Sequence, residues 1–238
     1  MTDSPRRRIA ASAVPVVAAL YDIHGNLPAL NAVLADLDDE PIVVGGDVTG
    51  GAFPVETVER LRALGPRVRW IRGNLERELV ELPPPREGGP PPGELERLRE
   101  SLPAEQVDFL YGLPETLVLD VDGLGRVLFC HAVPQNDLEI VTPLTPDERL
   151  ARIVTGVDVE VVIAGHTHIQ DDRWLTGLRW VNAGSVGMPY EDTPGAFWAL
   201  LGADVELRRS VYDTAALSGH DYPQASRLEA AEYFESLT

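Results

Sequence analysis

The chain is 238 residues long and 44% hydrophobic, and it carries 38 acidic against 20 basic side chains, a net charge of −18. That size and apolar content suit one domain with a sizeable core. No stretch approaches the ~20 apolar residues of a membrane span, and the charge argues against long nucleic acids and anionic membranes as partners.

The N-terminal "SPRRRIAASAVPVVAAL" has an arginine cluster followed by an apolar run, superficially like a secretory signal. Cleavage near Ala19 would remove the strand that carries the next motif. Residues 1–13 are therefore expected to be a flexible tail, and Val14–Leu20 a first buried strand. Further on, "LPALNAVLADLDD" reads as a helix, "PIVVGGD" as a strand, "PVETVERLRAL" as a helix and "VRWIRGN" as a strand. Continuous apolar strands alternating with amphipathic helices indicate a βαβ sheet covered on both faces. "ELPPPREGGPPPGE", residues 81–94, reads as a mobile Pro/Gly-rich surface loop, an insertion and not a domain boundary.

The second half is richer in strand patterns. "ETLVLDV" and "RVLFCH" form a hairpin around a turn at Asp122–Gly125. "ERLARIVTG" reads as a helix, "VEVVIAGH" and "LRWVNAGS" as strands, and "GAFWALLGADVELRRSVYD" as a last hairpin. "PQASRLEAAEYFESLT" reads as a C-terminal helix. The expectation is two sheets with helices outside, the first mostly parallel and the second mixed. The four tryptophans read as core, and His220, in a polar tail, has no assigned role. The lone cysteine, Cys130, excludes an intrachain disulfide, reads as a small buried residue and fits a reducing compartment, so a cytoplasmic location is expected.

Five strand-like runs end in polar residues: Asp22 and His24, Asp47, Asn74, His131, and His166 with His168. Four of the five histidines are in this set. Carboxyl ends of strands form the ligand crevice of α/β sheets, so the set converges on one edge. Alternation along the strand at Gly-His-Thr-His would put both rings on one face. Carboxylate and imidazole ligands suit Mn, Fe, Zn, Co or Ni, and the absence of a thiolate cluster argues against a structural zinc knot. Seven ligands exceed one tetrahedral site but suit two divalent ions sharing a carboxylate, as in centres with ions ~3.5–4 Å apart. Gly25, Gly46, Gly73, Gly165 and Gly184 each lie beside one of these residues or a turn, where glycine allows tight reversals and close backbone approach.

In "YDIHGN", "GGD", "RGN", "FCHAVP" and "GHTH", the sequence resembles the calcineurin-like metallophosphoesterase superfamily. "NAGSVGMP" is similar to a loop of its small bacterial phosphodiesterase branch. The resemblance spans residues 14 to about 212 and implies a four-layer α/β/β/α sandwich, with residues 14–238 as a single such domain. It implies one metal, manganese among the candidates, on Asp22, His24 and His168 and another on Asn74, His131 and His166, with Asp47 bridging. A metal-bridging hydroxide would hydrolyse a phosphodiester or phosphomonoester, and Asn74 would also contact a phosphate oxygen. The substrate would be a small phosphoester or nucleotide, and exposed edge strands permit a homo-oligomer.

Many members carry histidine after the Gly-Asn pair as proton donor. Here Leu75 stands there, so another group such as Glu76 takes the role, or the substrates have good leaving groups. Tyr21 and Ala132 are milder departures. A catalytically weak scaffold or nucleotide sensor is the alternative that Leu75 motivates.

Overall fold

The structure, a computed structural model, describes residues 13–217, 223 and 225–238. Residues 1–12 of the expected tail, and His220, lie outside the described residues. Among the described residues the chain runs β1 (Val17–Leu20), α1 (Leu27–Ala35), β2 (Ile42–Val44), α2 (Pro54–Arg62), β3 (Val68–Trp70), α3 (Asn74–Glu81), α4 (Glu94–Ser101), α5 (Ala104–Tyr111), β4 (Thr116–Val121) and β5 (Gly125–Cys130). It continues through α6 (Asp147–Ile153), β6 (Val161–Ala164), β7 (Asp171–Leu175), β8 (Leu178–Asn182), β9 (Ala196–Leu201), β10 (Val205–Ser210) and α7 (Arg227–Glu235).

Two five-stranded sheets form, in the orders β10-β9-β1-β2-β3 and β4-β5-β6-β8-β7. The strands β1, β2 and β3 are parallel, as crossovers through α1 and α2 require. The last hairpin joins the other side of β1 in antiparallel register, Ala18 facing Leu200. The first sheet is therefore evenly mixed and not mostly parallel, because β9 and β10 extend it. The second sheet is mixed as expected. The isolated bridge Val14–Val121 marks the expected strand start, although the ladder begins at Val17.

Side-chain alternation builds the layers. Val17, Ala19 and Tyr21 point between the sheets, with Val43, Ile71, Phe129, Ile163 and Val181. Ala18 and Leu20 point outward to Leu30 and Val33 of α1 and Val58 and Leu61 of α2. On the far side Leu128, Cys130, Val162 and Trp180 pack on Leu150 and Val154 near α6. The result is the α/β/β/α sandwich, with strands buried on both faces.

Several elements lacked a clear signal. The helices α3, α4 and α5 are eight residues each, and α3 and α4 are rich in charge. The strand β7, "DDRWL", is a polar edge whose Trp174 is 72% exposed under the Arg179 guanidinium, against the expectation that all tryptophans are core. Residues 83–93 form no helix or strand, as expected, and their Arg86 pairs with the fully buried Glu78 of α3 at 2.7 Å.

Tyr21 spans the gap between the sheets, its hydroxyl donating to the Ile163 carbonyl at 2.9 Å. Tyr21→Phe keeps the ring and removes that bond. It is expected to lower stability by about 1 kcal/mol in chemical denaturation, with the slope unchanged.

Candidate metal centre

Each candidate ligand follows the carboxyl end of a strand. Asp22 and His24 follow β1, Asp47 follows β2, His131 follows β5, and His166 and His168 follow β6. Asn74 opens α3 four residues after β3. Five of them hold left-handed backbone: Asp22 (φ 51°), His24 (44°), Asp47 (50°), His166 (68°) and His168 (60°). Leu82 is the one other such non-glycine among the described residues. Each left-handed residue costs on the order of 1–3 kcal/mol and persists only where its surroundings dictate it. Here cross-links between the loops do so. Asp22 N–H donates to Gly46 at 3.2 Å, His24 N–H to Asp47 at 2.9 Å, Gly165 N–H to His131 at 2.8 Å and Gly187 N–H to Asp22 at 3.0 Å.

Strand alternation does not place His166 and His168, because β6 ends at Ala164. Their kinked backbone sends the rings apart. The His166 ring lies 5.2 Å from that of His131, and the His168 ring 4.9 Å from that of His24.

The donor atoms converge between these pairs. Asp22 Oδ1 lies 3.3 Å from His168 Nε2, 3.8 Å from His131 Nε2 and 3.9 Å from His24 Nε2. Asp47 directs Oδ1 to His131 Nε2 at 3.5 Å and Oδ2 to His24 Nε2 at 3.9 Å. Asn74 Oδ1 is 3.1 Å from His131 Nε2. Donor atoms of Asp22, His24 and His168 form one mutually close group, and those of Asp22, Asp47 and His131 another. Asp22 thus belongs to both, which the spacing of the sequence did not indicate.

Asp22 Oδ1 is fully buried without a hydrogen-bond donor, while its Oδ2 accepts from His166 N–H at 2.8 Å. A buried carboxylate oxygen in that state calls for positive charge. Burial, reinforced by the neighbouring His168 and His131 respectively, holds His24 and His166 down to about 3, so both keep a free lone pair at neutral pH. Burial also opposes charge on His131, but Asp47 and Asp22 outweigh it and raise His131 to about 9. Both of its nitrogens face acceptor oxygens, Gly45 O at 2.9 Å and Asn74 Oδ1. Burial pushes Asp47 up to about 7, with Glu76 and Asp22 adding to the rise and His131 opposing it. The cluster attracts positive charge to the point where its donors meet. Its oxygen and imidazole donors fit divalent cations of the borderline class.

Glu76 is not free to donate a proton. Its buried carboxylate accepts the N–H groups of Asp47 and Val48 at 2.8 Å and of Gly73 at 2.9 Å, and so shapes the Asp47 loop. The signal for this was an acidic residue three positions after the helix N-cap. At position 75 the backbone acts: Leu75 N–H donates to Asp47 Oδ1 at 2.8 Å. His168 Nδ1 meets the Met188 carbonyl at 2.7 Å, which leaves Nε2 as the lone pair facing the cluster. Gly46 and Gly73 abut: a Cβ on Gly73 would stand 2.2 Å from Asp47 Oδ1, and one on Gly46 2.6 Å from Gly73 Cα.

The described residues also include a groove of about 530 Å³ lined by Val154, Val157, Trp174 and Leu175, with Asp147 and Glu148 among its walls. It contains no imidazole and lies apart from the ligand set. No helix among the described residues is long and apolar enough to cross a membrane.

A family profile described as the calcineurin-like phosphoesterase superfamily domain matches residues 16–204. An uncharacterized protein of Methanocaldococcus jannaschii is 28% identical over 232 residues, covering 83% of this chain and 88% of that protein. The symmetrical bis(5'-nucleosyl)-tetraphosphatase of Yersinia enterocolitica is 31% identical over 126 residues, 50% of this chain and 42% of that protein. The crystal structure of a metallophosphoesterase from Sphaerobacter thermophilus matches with a TM-score of 0.67 at 25% identity, covering 92% of this chain and 99% of that one.

Two outcomes follow from the geometry. Binding of Mn²⁺ at neutral pH is expected to release protons. A cation needs the His131 lone pair, and that imidazole stays protonated up to about 9, so affinity should rise with pH and level off above that point. Calorimetry in buffers of different ionisation enthalpy measures it, and a pH-independent affinity would contradict it. Gly73→Ala is expected to displace the Asp47 carboxylate, lower cation affinity and cost on the order of 1–3 kcal/mol of stability, read by calorimetry and thermal unfolding.

Proposed function

The chain belongs to the calcineurin-like phosphoesterase superfamily, and from that membership we propose that it is a metal-dependent phosphoesterase holding two divalent cations. The observation that carries the reading is the buried, donorless Asp22 Oδ1 set among imidazole nitrogens, with the two oxygens of Asp47 turned toward different histidines. Asp22, His24 and His168 would hold one cation, Asn74, His131 and His166 the other, and Asp47 would bridge. Bound there, divalent cations would neutralise phosphoryl oxygens and acidify an attacking water.

The protein's own residues orient and select. Glu76 and the Leu75 N–H hold Asp47 in place, and the Met188 carbonyl holds His168 in the tautomer with Nε2 free. The Asn74 amide would also meet a phosphate oxygen. Neither position 75 nor position 76 supplies a proton to the leaving oxygen: Leu75 has none to give, and Glu76 is engaged by three N–H groups. The enzyme should therefore favour esters or anhydrides whose leaving groups depart as anions. The net charge of −18 favours small substrates over polyanions, and the partial similarity to a nucleotide tetraphosphatase supports nucleotides among them.

Turnover of bis-p-nitrophenyl phosphate and p-nitrophenyl phosphate with added Mn²⁺, after chelator treatment, tests the reading. Cation-dependent hydrolysis of either supports it, and two bound cations without turnover would favour a scaffold or sensor. Asp47→Asn is expected to reduce hydrolysis to background and lower cation stoichiometry; unchanged stoichiometry would contradict the bridging role. Leu75→His is expected to raise turnover of poor leaving groups by on the order of 10²-fold, and that of p-nitrophenyl esters much less. Equal gains would remove Leu75 from the leaving-group argument.

A further inference from the structure

The C-terminal helix α7 packs against the segment that carries His168. Ile169 is fully buried and clusters with Ala230 and Ala231 of α7, with Tyr190, Ala225 and Phe234 around them. The Tyr190 ring stacks on the His168 imidazole, with centroids 5.6 Å apart and planes at 19°. The Phe234 ring meets Tyr190 edge-on at 5.7 Å and 74°. Two aromatic rings thus lead from α7 to a candidate ligand.

Polar contacts repeat the connection. Arg227, the first residue of α7, grips both oxygens of Glu191 at 2.9 and 2.8 Å and also donates to the Gln170 carbonyl. Gln170 N–H donates to Glu191 at 2.6 Å. The Gln170 amide reaches the carbonyls of Ala183, Trp198 and Arg208 at 3.1–3.2 Å, so the residue two places after His168 is tied to β9 and β10. The other end of α7 is anchored by Glu235, which accepts from Thr142 at 2.7 Å. Tyr190 N–H donates to the His168 carbonyl at 3.2 Å. The backbone of His168 is left-handed and would not hold this geometry unaided.

We propose that α7 is a positioning element for His168: Phe234 and Arg227 fix Tyr190 and Glu191, and these hold the imidazole so that Nε2 faces Asp22 and His24. The proposal rests on the metal reading above. It is one-sided. His131 is held instead from the Gly45 carbonyl, and none of the described contacts of α7 reaches Asn74, His131 or His166. Groups that orient a metal-bound histidine typically contribute 10- to 100-fold in affinity. The Met188 carbonyl sets the His168 tautomer through Nδ1, and the stacking and packing of α7 add the hold on the plane of the ring.

The test is a calorimetric titration of the full-length protein with Mn²⁺, in which His168→Ala identifies the step that belongs to the Asp22–His24–His168 side. Phe234→Ala and Arg227→Met are expected to weaken that step by about 10- to 100-fold and leave the other unchanged. Should these variants fail to fold, Tyr190→Leu and Tyr190→Phe decide the matter. Leucine cannot stack and should reproduce the weakening, while phenylalanine should retain wild-type affinity. Equal weakening of both steps, or of neither, overturns the proposal and leaves the metal reading standing. If the wild-type protein takes up no cation, the metal reading itself fails.

Discussion

Everything at the strand edge of this protein answers to two buried carboxylates. Asp22 is fully buried and Asp47 nearly so, and one Asp22 oxygen has no donor at all. An ionised carboxylate taken out of water costs several kcal/mol unless positive charge or donors replace the solvent. His24, His131 and His168 each bring a ring nitrogen within 4 Å of these carboxylates, the Asn74 amide oxygen meets His131, and the His166 ring lies beside that of His131. A folded chain tolerates such an arrangement when cations are to complete it.

The backbone is arranged to keep that geometry. Loops from both sheets that carry the candidate ligands are laced by N–H to carbonyl bonds, and five of these residues are held in left-handed conformations that only a constrained neighbourhood sustains. The contact of Gly46 with Gly73 lets the Asp47 and Asn74 loops meet without side chains between them. Glu76 spends its whole carboxylate on backbone N–H groups of those loops. Local stability is given up for position, as is common where geometry carries the chemistry.

The supports of the two halves differ. The Asn74 and His131 side leans on α3 and the Gly45 carbonyl, next to the apolar Leu75. The His168 side leans on a loop and on a helix contributed by the last residues of the chain. The supports of the two sides therefore lie on separate parts of the fold.

The alternation of apolar strands with helices was legible in the sequence because strands buried on both faces must be apolar throughout, as in "PIVVGG" and "VEVVIAG". Likewise legible was the gathering of polar residues at one edge, since Asp, Asn and His at the ends of such runs break the pattern abruptly. The short helices α3, α4 and α5 and the edge strand β7 were not, because their segments have one solvated face and little periodicity. The side of β1 that accepts the last hairpin depends on which edge is free once the sheets pack. The divergence of His166 from His168 depends on left-handed φ angles held by non-local hydrogen bonds, His166 to Asp22 and His168 to Met188 and Tyr190. Residue types and their order determined what chemistry this chain can hold. Only the tertiary structure decided which atoms face each other, because that is fixed by long-range contacts and not by neighbours in sequence.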